Sequence, residues 1–181
     1  MKTAHNLFLF AFATLIFSCV PEDAHLGNTT DKFDSLTYEE SIEKWEILKA
    51  ENSDGYSYKI EFQSFAGFGN VTEIIVESGE VVERNYQEYT RDLNTNEKNI
   101  VEEYNEKGAS VGSHEKGFSP LTIDELYETC LQDYLEVDSE ANQITFETND
   151  LGIISTCGYF PYNCADDCFI GFSMSSFEWI D

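Results

Sequence analysis

Basic residues and long apolar runs are both scarce in this chain of 181 residues. Ten Lys and Arg oppose 35 Asp and Glu, which gives a formal net charge of −25. Because such a surface repels phosphates and anionic lipid headgroups, we exclude nucleic-acid binding. This charge is compatible with a cationic partner, with a protein partner or with no partner at all. We expect the protein to be a monomer. No apolar run reaches the roughly 20 residues that a permanent transmembrane helix needs.

Histidine is also rare, which weakens the case for catalysis. His25 lies in a polar stretch and His114 in a loop, so neither is an evident base for a thiolate. Residues 108–112 match G-x-S-x-G, but hydrophilic flanks replace the strand and helix that would present Ser110 as a nucleophile. We therefore expect no catalytic residue and no cofactor. A hydrolase with two carboxylates across a cleft is the alternative, because a sequence cannot show their spacing.

The N-terminal segment has the features of an export signal. Lys2 provides a positive start, and an unbroken run of apolar or small residues extends from Leu7 to Phe17, the length of a signal-peptide core. The run ends at Ile16-Phe17-Ser18-Cys19, which resembles the lipobox of bacterial lipoproteins. The resemblance implies a cleavable signal over residues 1–18 and fatty acyl chains on Cys19, the new N-terminus. Two or three such chains anchor a protein firmly. An ordinary secretory signal is the alternative.

Residues 19–36 are polar and small and have no periodicity, which predicts a flexible tether. Within them, Glu22-Asp23 resembles the acidic signals that direct some gram-negative lipoproteins to the cell surface. We therefore expect a cell-envelope protein that is attached to the lipid bilayer through acylated Cys19, with the outer membrane and surface exposure favoured. Residues 37–181 are long enough to form one domain with a hydrophobic core.

Four cysteines remain once Cys19 is set aside, an even number that suits disulfides in an oxidising compartment. They are Cys130, Cys157, Cys164 and Cys168. Three pairings are possible, and the sequence does not choose among them. A four-cysteine zinc site would need CxxC knuckles, which this sequence lacks, so we expect no metal. Asp92–Glu103 begins like a calcium loop but has Glu97 where the sharp turn needs Gly, which favours a polar hairpin loop.

Hydrophobic periodicity predicts a helix followed by strands in the first half of the domain. Thr37 and Glu40 form a capping box, so we predict a helix over residues 38–50. Alternating polarity then predicts strands, two of which are joined by a two-residue turn at Ser78-Gly79. The predicted strand ranges are Tyr56–Phe62, Thr72–Val76, Val82–Glu88 and Asn99–Tyr104.

The second half repeats this order. We predict a flexible loop over Asn105–Ser119 and a helix that begins with a capping box at Thr122 and Glu125 and ends near Val137. We expect one face of this helix in the core: Ile123, Leu126, Tyr127, Cys130, Leu131 and Tyr134. Three more strands are predicted, at Gln143–Glu147, Leu151–Thr156 and Phe169–Ile180. The predicted fold class is α+β: an antiparallel β-sheet with two helices packed on one face, arranged as two helix-plus-meander units.

Several segments together resemble a family of uncharacterised bacterial lipoproteins. They are YSYKIEFQSFAGFGNVTEIIVESGEVVERNY, TIDELYETC, ITFETNDLGIISTCGYF and CADDCFIGFSMSSF. The resemblance spans residues 40–180, except for an apparent insertion over 90–118. It implies a helix-plus-meander fold and an envelope location, and it supplies no catalytic residues. The layout is also similar to secreted inhibitor domains, at the level of fold alone.

The cysteine-rich segment 157–168 is the best candidate for a binding site in this sequence. Exposed aromatic residues are typical of binding sites, and adjacent carboxylates repel each other unless a cation relieves them. The candidate partner-binding residues are Tyr159, Phe160, Tyr162, Asp166 and Asp167. We predict a non-enzymatic binding or envelope-accessory domain, with an inhibitor of a secreted enzyme acting through this segment as the alternative. Core packing and turn formation would explain the same residues without a ligand.

Overall fold

The structure is a computed structural model, and it describes residues 36–52, 54–165 and 168–180. The predicted signal peptide, Cys19 and all of the predicted tether before Leu36 lie outside the described residues. The described residues all belong to one compact unit. Within the described part of the chain, no helix combines the length and the apolar character needed to cross a membrane.

Two helices begin at the predicted capping boxes. Helix α1 (Tyr38–Glu51) is capped by Thr37, whose hydroxyl accepts the backbone N–H of Glu40 at 3.2 Å while the Glu40 carboxylate accepts the N–H of Thr37 at 2.9 Å. Helix α2 (Ile123–Thr129) has the same arrangement and continues as a π-helix over Cys130–Leu135. The second helical segment therefore ends at residue 135, two residues before the predicted end.

The described residues contain seven strands in one antiparallel sheet. They are β1 (Tyr56–Gln63), β2 (Phe68–Glu77), β3 (Glu80–Arg91), β4 (Lys98–Lys107), β5 (Asn142–Thr148), β6 (Ile154–Pro161) and β7 (Ile170–Trp179). Their spatial order is β4-β3-β2-β1-β7-β6-β5. The predicted α+β class with an antiparallel sheet is confirmed. Ser78 and Gly79 both have positive φ, as the predicted two-residue turn requires.

Two strands extend into segments for which local composition predicts loops. Strand β4 continues to Lys107, and β6 begins at Ile154 and runs to Pro161, through the first half of the cysteine-rich segment. Cross-strand pairing explains the second difference, because Tyr159 pairs with Ile144 on one side and Ile170 on the other. Neighbouring strands therefore override the local turn composition.

The core is rich in aromatic residues that meet edge to face or stacked. Tyr56, Tyr58 and Ile60 alternate with exposed or half-buried residues along β1 and face the core. Fully buried Trp45 of α1 stacks on Trp179 at a centroid distance of 5.7 Å and meets Tyr56 edge to face at 5.2 Å. Such pairs stabilise the fold beyond the apolar area that they bury.

Buried tyrosine hydroxyls connect the sheet to the start of α2. The Tyr58 hydroxyl donates to the carbonyl of Leu121 at 2.5 Å, and the Tyr56 hydroxyl accepts the N–H of Ile123 at 2.9 Å. The Tyr127 hydroxyl accepts the N–H of Ile154 at 2.9 Å. Burial raises the pKa of Tyr127 to about 12, so this phenol stays neutral across the physiological range.

The cysteines lie at disulfide distance in two pairs, as predicted. Cys130 of the π-helix pairs with Cys157 of β6 at a Cα separation of 5.7 Å, and Cys164 pairs with Cys168 at 6.2 Å. These pairs indicate an oxidising, exported environment. The expected core position of Leu131 is wrong: its side chain is 39% exposed. The π-helical hydrogen-bonding pattern widens the turn and rotates this residue away from the core.

The segment predicted to be a flexible loop is held against β3 and β4. We define residues 108–118 as the covering loop. Arg84 and Glu106 are 2% and 1% exposed and form an ion pair at 3.3 Å. The Glu106 carboxylate accepts the backbone N–H groups of Gly112 at 2.6 Å and His114 at 2.7 Å. Arg84 donates to the carbonyl oxygens of His114 and Lys116. The pair therefore satisfies backbone groups that the loop would otherwise leave unpaired.

The G-x-S-x-G match lies at the start of the covering loop and has no nucleophile geometry. Ser110 ends a 3₁₀ turn, and its hydroxyl donates to the carbonyl of Lys107 at 2.9 Å and accepts the N–H of the same residue. The turn follows β4 without the strand-to-helix elbow that exposes a catalytic serine. Ser110 therefore closes a turn.

Candidate binding surface

The exposed large hydrophobic side chains are concentrated at one end of the sheet. Nine of the twelve found among the described residues lie in or beside the β1–β2 turn, the β3–β4 turn and the β6–β7 connection. We call these nine the aromatic end: Phe62, Phe65, Phe68, Leu93, Ile100, Val101, Phe160, Tyr162 and Ile170. Isolated exposed hydrophobic residues need no explanation, but a group of them marks a candidate interaction site.

The strand register places these three connections at the same end. The β1–β2 pairing closes with Gln63 opposite Gly69, and the β3–β4 pairing closes with Arg91 opposite Lys98. Strand β7 runs antiparallel to β1 with Trp179 opposite Tyr56, so its first residue lies at the far end from Tyr56. Antiparallel pairing therefore collects residues from three separate sequence segments.

The β1–β2 turn carries the most exposed aromatic residue. Phe65 is 74% exposed at the tip, and the rings of Phe62 and Phe68 lie 6.0 Å apart beside it. The turn requires glycine at position 67, where φ is 86° and a Cβ atom would lie 2.6 Å from the carbonyl oxygen of Arg91. The turn is thus held close to the end of β3 while Phe65 stays in solvent.

The exposure of Phe62 follows from a split in the sheet. Strand β1 pairs with β7 only from Tyr56 to Ile60, where a bulge interrupts the register. Beyond that point β7 pairs with β6 instead, over residues 170–173. Phe62 continues the core-facing alternation of β1 but is 49% exposed, because the neighbouring strand has separated from it.

The β3–β4 turn exposes Leu93 on a rigid loop. The Asp92 carboxylate accepts the backbone N–H groups of Asn94 at 2.8 Å and Thr95 at 2.9 Å, and these bonds lower the pKa of Asp92. Leu93 is 71% exposed. The segment forms a hairpin turn between β3 and β4, as predicted. The Asp92 carboxylate, the first potential ligand of a calcium loop, accepts backbone N–H groups of this turn.

The structure describes three of the five predicted partner-binding residues, and Tyr159 and Phe160 lie on opposite faces of β6. Tyr159 is half-buried and its ring lies 6.5 Å from that of Tyr134, whereas Phe160 is exposed and packs on Phe169 at 5.1 Å. Tyr162 is 64% exposed. Asp166 and Asp167 lie outside the described residues. Tyr159 and Tyr162 also line an open cavity of about 420 Å³ at the ends of β5, β6 and β7.

A second cavity lies on the face of the sheet opposite the aromatic core. It is relevant to the hydrolase alternative, which requires two carboxylates across a cleft. It measures about 680 Å³ and contains two glutamates, Glu73 and Glu103. Glu73 contacts the ammonium group of Lys59 at 3.3 Å, and Glu103 accepts a hydrogen bond from Gln87 at 3.3 Å. Both carboxylates therefore already contact neighbouring side chains of the sheet, and the hydrolase alternative stays a prediction.

Seven of the nine residues of the aromatic end are absent from the predicted partner-binding residues: Phe62, Phe65, Phe68, Leu93, Ile100, Val101 and Ile170. The available signal is the sequence QSFAGFG, in which two phenylalanines occupy a Gly-containing turn instead of a strand. A turn rarely needs such side chains for its own geometry. Their placement beside Leu93 depends on the pairing of β2 with β3, which a local pattern does not reveal.

The described residues contain no group of three or more His, Cys, Asp or Glu arranged to hold a metal ion.

Comparison with protein-family models, curated proteins and solved structures finds no match for this chain. The resemblance to a lipoprotein family therefore stays a prediction.

Proposed function

We propose that this chain is an exported, lipid-anchored binding protein of the bacterial envelope whose aromatic end contacts a protein partner. The proposal includes two helices that pack on one face of the sheet and leave the turns at the aromatic end free. The observation that carries it is the concentration of exposed hydrophobic side chains on three connections at one end of the sheet.

The chemistry of the aromatic end suits a protein interface. Aromatic side chains dominate the energetics of protein interfaces when they insert into pockets of a partner. Phe65 projects from the short turn between β1 and β2, and the backbone N–H of Tyr162 donates to the carbonyl of Ala141 at 3.0 Å. Little backbone entropy is therefore lost when these two side chains are buried on binding. The large negative charge of the chain favours a partner with basic residues around its apolar pocket.

The point at which the chain enters the domain supports the same surface. The backbone N–H of Leu36, the first described residue, lies 3.4 Å from the Thr148 hydroxyl, near the turn between β5 and β6. Strand β5 ends there, at the opposite end of the sheet from the aromatic end. Leu36 therefore lies at the opposite end of the sheet from the aromatic end.

Membrane anchoring rests on the lipobox-like segment Ile16-Phe17-Ser18-Cys19. Mass spectrometry of the mature protein from its native envelope tests it. We expect an N-terminal peptide that begins at Cys19 and carries two or three acyl chains. Retention of Met1, or an unmodified Cys19 at the N-terminus, would contradict the anchoring part of the proposal and leave the aromatic end to be tested separately.

The binding role is tested by affinity capture with the immobilised mature chain and a detergent extract of the native envelope. The test variant is Phe65→Ser combined with Tyr162→Ser. The matched control is Ile47→Ser on the outer side of α1, since Ile47 is also exposed. We expect one protein to be recovered by the wild type and the control and lost with the double variant. Equal recovery by all three chains would reject the aromatic end as the binding surface.

An inhibitor of a secreted enzyme is the second candidate, and one observation favours it. Tyr162 is 64% exposed and lies two residues before the Cys164–Cys168 pair, and a cross-link beside an exposed aromatic residue lowers the entropy lost on insertion into an enzyme cleft. Identification of the captured protein as a secreted hydrolase that loses activity when bound would support the inhibitor. A captured protein without enzymatic activity would support the accessory role.

A further inference from the structure

The larger cavity lies on the open face of the sheet, which the aromatic core does not use. It forms a groove of about 680 Å³ across β1–β4, within the size range of small-molecule sites. We call it the open-face groove. Its polar side chains are Lys59, Glu73, Asn85, Gln87, Lys98, Glu103 and Asn105, and Val71 contributes apolar surface.

Cross-strand register arranges these side chains in two rungs. In the first, Glu73 lies between Lys59 and Asn85, and the Asn85 amide donates to the Glu73 carboxylate at 3.2 Å. Asn105 follows on β4, and its side-chain amide donates to the side-chain Oδ1 of Asn85. In the second rung, the Gln87 amide donates to Glu103 at 3.3 Å. Hydrogen bonds within the rungs therefore limit the freedom of five neighbouring polar side chains.

The rungs retain hydrogen-bonding capacity for a ligand. A side-chain amide has two donor hydrogens and an acceptor oxygen. The side-chain carbonyl oxygens of Gln87 and Asn105 accept no hydrogen bond from the described residues. The groove thus offers acceptors beside donors, spaced by the distance between adjacent strands.

The charges in the open-face groove balance, unlike those of the whole chain. Lys59 and Lys98 oppose Glu73 and Glu103, whereas the full sequence carries a net charge of −25. An anionic ligand would meet the repulsion of the whole protein, and a cation would find no local excess of negative charge. The groove therefore favours a ligand that is polar but uncharged.

We propose that the open-face groove binds a neutral glycan chain. Sugar hydroxyls both donate and accept hydrogen bonds, which matches the mixed donors and acceptors of Asn85, Gln87 and Asn105. Val71 and the aliphatic stems of the two lysines provide apolar contact for the C–H faces of the sugar rings. This activity does not depend on the lipid anchor or on the aromatic end.

The test is isothermal titration of the mature chain with neutral oligosaccharides at millimolar concentration. The probes are maltohexaose, cellohexaose, xylohexaose and chitohexaose. We expect at least one to bind, and we expect Gln87→Ala and Asn105→Ala each to weaken that binding about tenfold through the loss of one hydrogen bond to the sugar. Asn99→Ala is the matched control, because it lies on the same strand as Asn105 but outside the groove.

Four results would overturn the proposal. One is the absence of binding by all four oligosaccharides. Another is a loss of binding in Asn99→Ala equal to that in Asn105→Ala. The third is binding of the zwitterionic peptide triglycine in their place, which would assign the groove to peptides. The fourth is wild-type binding by Gln87→Ala or Asn105→Ala when urea unfolding shows that the same variant has wild-type stability.

Discussion

Two segments of this protein, the covering loop and the cysteine-rich segment 157–168, have structures that differ from those their compositions predict. The covering loop is rich in Gly, Ser and charge, a composition that predicts flexibility. It is nevertheless fixed by the buried Arg84–Glu106 pair. The composition of the cysteine-rich segment 157–168 predicts an excursion from the fold. Its first half is a strand, and its exposed residues Phe160 and Tyr162 face solvent.

The two segments differ in where their polar and apolar groups lie. The covering loop supplies backbone groups that complete the coordination of two buried charges, so its contribution is to stability. The cysteine-rich segment leaves large aromatic surface in water, which contributes little to stability and is available for binding. Three changes test this contrast, and their expected effects decrease from the first to the third.

The first is Arg84→Ala. Removing the guanidinium leaves Glu106 charged, 1% exposed and without its ion-pair partner, so we expect the free energy of unfolding to fall by about 3–5 kcal/mol. Urea denaturation measures it. The control is Lys107→Ala, which breaks the ion pair with Glu83 made by an ammonium group that is 66% exposed and should cost under about 1 kcal/mol. Similar losses for the two variants would show that the buried pair does not fix the covering loop.

The second is the pH dependence of Glu106→Gln. Burial acts to raise the pKa of Glu106, but hydrogen bonds from Gly112 and His114 and the charge of Arg84 outweigh it and lower the pKa from 4.5 to about 2. Because the folded-state pKa is depressed, the ionised carboxylate stabilises the fold above about pH 4.5, and this contribution is lost as the pH falls towards 2.

We therefore expect the wild type to exceed the Gln variant in stability by about 3 kcal/mol near pH 7. The difference should shrink between pH 4.5 and pH 2. Denaturation of both chains across this range measures it, and their other carboxyl groups cancel in the comparison. A difference that is the same at every pH would contradict the role given to the carboxylate.

The third is the replacement of Cys164 and Cys168 by Ser. Because their sequence separation is only 4, the loss of the cross-link should cost about 2 kcal/mol of unfolding free energy at most. Partner recovery should fall more clearly, since Tyr162 loses its rigid support. Denaturation and affinity capture are measured on the same sample. A stability loss as large as that of Arg84→Ala would place this segment in the structural core.

Local patterns predict the parts of this fold that are locally determined. The capping box of Thr37 and Glu40, the turn at Ser78-Gly79 and the alternation that buries Tyr56 each involve residues close in sequence. The buried pair of Arg84 and Glu106 joins residues 22 positions apart, and no periodicity indicates it. A charged residue on a strand ordinarily predicts solvent exposure, so the sequence does not reveal either partner.

The candidate site is predictable from the sequence only in its cysteine-rich part. Tyr159, Phe160 and Tyr162 stand out because aromatic residues beside cysteines are a visible local signal. The exposure of Phe62 arises where β1 and β7 separate, which depends on the register of two strands more than 100 residues apart. The cysteine pairing likewise requires the three-dimensional arrangement of the π-helix and β6.

The most direct test of the aromatic end is site-specific photo-crosslinking in the native cell. A photoreactive phenylalanine analogue is placed at Phe65, at Tyr162 or at Ile47, which is exposed on α1. The account predicts that the first two positions crosslink to the same protein and that Ile47 does not. Crosslinking to that protein from Ile47 alone, or to none from Phe65 and Tyr162, would contradict it.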